Sequence, residues 1–199
     1  FLRQFYNTFK HRKEIKVEKA TRATRSLIIR IYETLINRDA ALLFEELTKS
    51  AAIYGKLLRS EFTSKQVVVG LTELERISSA PAYLVLLYLF SLDAKHLEGE
   101  KFLEGVVDLM ARYFIRRNVT DKPPTRQIDQ ALIDVVESCA TRIKDGAKLN
   151  LQWFVDELMK YAKPASLDEF KASLGGHIYD SNSWMTRYVL IQLDQLHHS

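Results

Sequence analysis

The stretch AYLVLLYLF, Ala82 to Phe90, is the longest apolar run in the chain and directly follows Pro81. Nine residues are too few to cross a bilayer, which requires about 20. Proline suits the first turn of a helix, and Ser78 or Ser79 is available as its N-cap. We therefore predict that this run is a buried core helix.

Upstream of this run, apolar residues recur at three- and four-residue spacing, which is typical of amphipathic helices. Polar capping residues mark where some of these patterns begin. We expect the chain to start in the end of an amphipathic helix, whose aromatic face includes Phe1, Phe5 and Phe9. A second helix is expected from about Val17 to Asn37, a third capped by Asp39, and a fourth from about Ser64.

Downstream, a long helix is predicted from about Glu100 to the arginine pair at Arg116 and Arg117. The sequence DKPPT must end it, since two prolines lack backbone donors and disfavour the α region in the residue before them. The next helix begins near Asp121 or Thr125 and closes near Gly146. Three further helices follow in LQWFVDELMKYA, in SLDEFKASL with a Ser166/Glu169 capping box before Gly175-Gly176, and in SWMTRYVLIQLDQL.

The composition agrees with a helical protein. Only 7 Gly and 4 Pro occur in 199 residues, too few for the many tight turns of a β-sandwich or barrel. No fixed-period repeat is evident. We predict an all-α fold, an irregular bundle of about nine or ten helices, forming a single domain over residues 1–199 with possible sub-lobes at 1–95 and 96–199.

Positive charge is concentrated at the N-terminal end. Residues 1–30 hold nine Lys/Arg against Glu14 and Glu18, a local charge of +7, so the remaining residues sum to −3 within a net charge of +4. Such asymmetry is compatible with a nucleic-acid or acidic-protein contact. The alternative is a solvated helix face that binds nothing.

No set of residues indicates catalysis. None of the five histidines stands in a zinc-binding spacing, and Cys139 lies on an apolar helix face without an activating base. The only glycine pair ends a helix and does not form a phosphate-binding loop. We expect no catalytic residue, metal or cofactor. One cysteine and no membrane-length run favour a cytoplasmic location and no membrane contact.

The stretch RYFIRRNVTDKPPTRQID, Arg112 to Asp129, allows two interpretations. Its cations could neutralise the phosphates of a nucleic-acid backbone. They could instead satisfy carbonyls at a helix C-terminus and pair with Asp121 or Asp129. The residues in question are Arg116, Arg117, Lys122 and Arg126.

Four strings, taken in order and spacing, carry a family resemblance. They are SAAIYGKLL, LERISSAPAYLVLLYLF, VVDLMARYFIRRNVTDKPPTRQID and WMTRYVLIQLDQL. Together they resemble the helical region of GmrSD-type proteins, the modification-dependent restriction endonucleases and their relatives of unassigned function. The similarity runs from about Phe1 to Leu196 and is most specific at YFIRRNVTDKPPT, Tyr113 to Thr125.

The resemblance implies a middle piece of a longer protein. Relatives carry an N-terminal ParB-like domain with a D-G-Q-Q-R motif, and many add a C-terminal HNH nuclease domain; this sequence contains neither motif. We therefore expect a non-catalytic helical connector of a DNA restriction or phage-defence protein. Its expected partners are DNA, flanking nuclease domains or a partner subunit. The alternative is a protein-interaction scaffold with no nucleic-acid role.

Overall fold

The computed structural model describes residues 1–176, 178–181 and 183–197. Within these ranges the chain forms ten α-helices, one 3-10 turn at Ala94–His96 and no strand, which confirms the predicted all-α bundle. The helices are α1 (Leu2–Phe9), α2 (Ile28–Arg59), α3 (Lys65–Arg76), α4 (Ala82–Phe90), α5 (Phe102–Thr120), α6 (Thr125–Lys144), α7 (Leu151–Tyr161), α8 (Leu167–Leu174), α9 (Ile178–Ser181) and α10 (Ser183–His197).

Helix α4 lies at the centre, as its composition predicts. Every side chain from Ala82 to Leu89 is buried, and the helix packs against α1, α2, α5 and α6. Each buried leucine of this helix contributes roughly 1.5–3 kcal/mol to stability. The predicted serine cap is wrong: no side chain caps α4, and the Oγ of Ser79 is buried without a partner among the described residues. Pro81 takes the N-cap position instead, with φ of −63°.

Close helix packing surrounds this centre. A Cβ built on Gly70 of α3 would lie 2.5 Å from Cγ1 of Val107 on α5, so only glycine allows the two helices to approach this closely. The side-chain amide of Asn118 on α5 donates to the carbonyl of Ile77, 2.9 Å away, which ties the end of α3 to α5. Buried residues from both halves of the sequence join one hydrophobic cluster, from Phe5 to Tyr188.

Residues 10–27 do not form the helix predicted from Val17. They form successive turns, and α2 begins only at Ile28. The cause is hydrogen bonding from α1: the hydroxyl of Tyr6 donates to the carbonyl of Ala20, 2.8 Å away, and Oδ1 of Asn7 accepts from the backbone N–H of Ala23, 2.7 Å away. These contacts use backbone groups that a helix would need for itself.

The predicted boundary at Asp39 is confirmed. Asp39 has φ of −163° and ψ of 93°, which kinks α2, and its Oδ1 accepts from the backbone N–H of Leu42, 2.9 Å away. The capping box of α8 is also confirmed, with Ser166 and Glu169 bonded reciprocally. None of the helices described is both long enough and apolar enough to cross a membrane.

Candidate nucleic-acid interface

Arg117 fastens the loop that follows α5. Helix α5 continues past the arginine pair to Thr120, and its C-cap, Asp121, has φ of 50°. The Arg117 guanidinium donates to the carbonyl of Pro123 at 3.1 Å, to Oδ1 of Asp121 at 2.7 Å and to Oγ1 of Thr125 at 2.6 Å. Only 13% of its side chain is exposed. Arg117 therefore joins the end of α5 to the start of α6, and its donors are used within the protein.

Arg116 and Lys122 attach α8 to the end of α5 and to the loop that follows it. The guanidinium of Arg116 lies 5.7 Å from the centre of the Phe170 ring, within the range of a cation–π contact. Lys122 forms an ion pair with Glu169, the capping-box residue of α8. Hydrogen bonds from Lys122 and from Ser166 lower the pKa of Glu169 to about 2. Three of the four predicted nucleic-acid contacts thus have protein partners.

Arg126 differs from the other three. It lies exposed in the first turn of α6, and its side chain makes no hydrogen bond or ion pair within the described ranges. Its backbone carbonyl accepts from Nη1 of Arg22, 3.3 Å away. This contact brings Arg126 next to residues 10–27, which we call the basic segment.

The basic segment is held firmly by its backbone while several of its cations stay unpaired. Nη1 of Arg38 donates to the carbonyl of Glu14, 2.9 Å away, and Ile15 is buried below. Lys10 pairs with Glu137, and Arg12 pairs with Glu46 at 2.5 Å. No ion pair or side-chain hydrogen bond to another described residue is made by Lys13, Lys16, Lys19 or Arg25.

Lys19 has an unusual backbone conformation for a lysine. Its φ is 64°, in the left-handed region that favours glycine or asparagine. A residue with a Cβ costs roughly 1–2 kcal/mol there. The lysine side chain is exposed and makes no hydrogen bond or ion pair with another described residue. No polar contact of the Lys19 side chain therefore offsets the cost of its backbone conformation.

A cleft of about 910 Å³ lies beneath the basic segment. Its walls come from the ends of α1, α4 and α6, and its charged lining comprises Lys10, Arg12, Lys16, Lys19, Lys144, Glu14, Glu18 and Glu137. Because three helices end here, the negative ends of their dipoles oppose an anion at its base. The cations at its mouth suit an extended polyanion lying across the surface better than a small anion inside.

The residues that line the cleft do not form a set suited to catalysis. His11 lines it, with its Nδ1 buried and unpartnered in the described part of the chain, and burial lowers the pKa of its ring. Burial raises the pKa of the Cys139 thiol to about 12, so this thiol is not a nucleophile. Among the residues described, no three His, Cys, Asp or Glu side chains could hold a metal ion. His177 and His198 lie outside the described residues.

Sequence reasoning found part of this surface. The pattern showed the excess of cations before residue 30, and it included Arg126. It missed Lys144, because a lysine at a helix end is ordinary until the fold places it at the mouth of the cleft. Only the fold brings Arg22 to Arg126, 104 residues away along the chain.

None of the known protein-family models, curated proteins or solved structures matches this chain. The GmrSD-type relationship stays a prediction, and the basic segment is the structural feature that bears on function.

Proposed function

We propose that this chain is a non-catalytic helical connector domain of a GmrSD-like DNA restriction or phage-defence protein. In this proposal the domain contacts the phosphate backbone of duplex DNA through the basic segment and Arg126. The observation that supports it most is the difference in pairing. Most cations of the basic segment have no carboxylate partner, whereas Arg117 and Lys122 do.

The charge balance favours a polyanion. Unpaired Lys/Arg side chains outnumber the two carboxylates of the basic segment, Glu14 and Glu18. Helix α6 carries Arg126 near its start and Lys144 at its end, roughly 27 Å apart at 1.5 Å per residue. This separation is comparable to one turn of B-form DNA, about 34 Å. A duplex lying along α6 would meet one of these cations at each end of the helix.

The same surface is not suited to recognising the base sequence of a duplex. The basic segment consists of turns, and no helix projects from it to enter a major groove. Lysines dominate its unpaired cations, and a lysine is a point charge without the bidentate geometry that arginine offers to guanine. Binding should therefore be electrostatic and insensitive to sequence, with about five phosphate contacts and a salt slope of roughly −4 to −5.

Fluorescence anisotropy of a labelled duplex at low salt tests the proposal. The variant Lys13→Gln/Lys16→Gln/Arg25→Gln removes three unpaired cations, and we expect it to weaken binding at least tenfold and to flatten the salt slope by roughly 2–3. The matched control Lys56→Gln/Lys65→Gln/Lys101→Gln removes three exposed cations elsewhere and should weaken binding much less. Equal losses in the two variants, or no binding by the unaltered chain at low salt, would refute the DNA role.

The second candidate is a protein-interaction scaffold without a nucleic-acid role. The observation that favours it is the outer face of α10, where Trp184 is 75% exposed and Leu190 is 60% exposed. Exposed apolar clusters of this kind commonly mark protein contacts. A chain that fails to bind duplex at low salt but associates through α10 would support this candidate over the first.

A further inference from the structure

Helix α10 presents two different faces. One face is buried, with Met185 and Tyr188 packed towards the core. The other exposes Trp184, Leu190 and Ile191, the last at 46%. Large apolar side chains on one helix face lose contact with water only when something covers them. Within the chain, α10 packs against α9 and α5.

The exposed face is shaped as a groove. Tyr179 of α9 lies at one end of it, and the other lining residues lie along α10. The groove is shallow and open to solvent, with a volume of about 770 Å³, and is lined by Tyr179, Ser183, Trp184, Thr186, Arg187, Leu190, Ile191 and Asp194. Its charged members are one cation and one anion, so the face as a whole is neutral and apolar at its centre.

The charges are placed symmetrically about that centre. The midpoint between Arg187 and Asp194 falls between Leu190 and Ile191. Each charged residue is three and a half positions from it, roughly 5 Å along the axis. If a second α10 lies antiparallel across this midpoint, Arg187 of each copy faces Asp194 of the other, and Leu190 faces Ile191. This face is therefore complementary in charge to a second copy of itself.

We propose that two copies of this chain associate through antiparallel contact of their α10 helices, centred between Leu190 and Ile191. Such a contact is isologous, with the same surface used twice, as in most symmetric dimers. The apolar residues supply the affinity, and the two Arg187–Asp194 pairs set the register and direction. Asp194 also has an interaction within its own chain, so the intermolecular pair adds to or replaces that interaction.

The contact should be reversible. A stable interface buries roughly 1,200–2,000 Å² in total, more than two helices of 15 residues share on their own. Tyr179 and Trp184 extend the apolar area towards α9, and the dimer is expected to form in the micromolar range. This association does not depend on DNA binding, because the basic segment takes no part in the groove.

Sedimentation velocity across the micromolar range tests this inference on the full chain. We expect the weight-average mass to rise from monomer towards dimer with concentration. Leu190→Glu should shift the midpoint at least tenfold upward, because it places a carboxylate at the centre of the contact. Leu58→Glu on α2 is the matched control, since Leu58 is exposed to 49% and lies outside the groove, and it should leave the midpoint unchanged.

Exchanging the two charges tests the register, and it distinguishes the loss of an intermolecular ion pair from misfolding. Arg187→Asp alone and Asp194→Arg alone should each weaken association, and the double variant Arg187→Asp/Asp194→Arg should restore it. Far-UV circular dichroism confirms that each variant is folded. A chain that stays monomeric at every concentration, or a dimer that Leu190→Glu and Leu58→Glu affect equally, would overturn the proposal. Failure of the double exchange to restore association would overturn the antiparallel register.

Discussion

Two basic regions of this chain carry similar side chains and differ in what surrounds them. At the end of α5, Arg117 donates to four separate oxygens and Lys122 pairs with Glu169. In the basic segment, Lys13 and Arg25 reach no partner among the residues described. A charge excess in a sequence is therefore not the same as charge available at a surface. Available charge depends on which carboxylates and carbonyls the fold places nearby.

The two regions also differ in how their backbones are held. The loop at residues 121–124 depends on a cation, because the Arg117 side chain links its carbonyl and carboxylate groups. The basic segment depends on Tyr6, Asn7 and Arg38, which lie outside it and bond to its backbone. Its cations can therefore be changed without removing what holds the segment. This contrast predicts opposite results for substitutions in the two regions.

The largest expected effect is on stability, at Arg117. Arg117→Ala removes four hydrogen bonds from a side chain that is 13% exposed, and we expect the free energy of unfolding to fall by about 2–3 kcal/mol. Arg112→Ala is the control: its side chain is 76% exposed and pairs with Asp108 one turn away. That substitution should cost less than about 0.5 kcal/mol. Urea unfolding of both variants measures the difference, and similar losses would contradict the structural role of Arg117.

A smaller change in stability, in the stabilising direction, is expected on substituting Lys19. Lys19→Gly relieves the left-handed backbone, while glycine adds freedom to the unfolded chain, so stability should stay equal or rise by up to about 1 kcal/mol. Affinity for duplex DNA should fall, with the salt slope reduced by about 1. Ser60→Gly is the control, because Ser60 has φ of 53° and lies outside the basic segment. It should share the stability change without changing DNA affinity.

The features that could be predicted from sequence are those determined by near neighbours. The apolar run of α4, the cap at Asp39 and the Ser166/Glu169 capping box each depend on residues within one or two turns. The helix predicted from Val17 was wrong because its backbone bonds to Tyr6 and Asn7, which periodicity does not consider. The partners that the cations find are decided by long-range geometry of the same kind.

The candidate site is also determined by contacts that are distant in the sequence. Sequence pattern placed Arg116, Arg117, Lys122 and Arg126 in one group, because they lie close together along the chain. The fold separates them, since Arg117 is turned into the loop while Arg126 meets Arg22 from the other end of the sequence. A prediction from one sequence lists cations but cannot assign their partners.

The most direct test of this account compares the salt dependence of duplex binding for two neutralised variants. One is Lys13→Gln/Lys16→Gln/Arg25→Gln in the basic segment, and the other is Arg116→Gln/Lys122→Gln at the end of α5. We predict that the first flattens the slope of log affinity against log salt by roughly 2–3, and that the second leaves the slope nearly unchanged while lowering stability. A flattened slope in the second variant with an unchanged slope in the first would contradict the account.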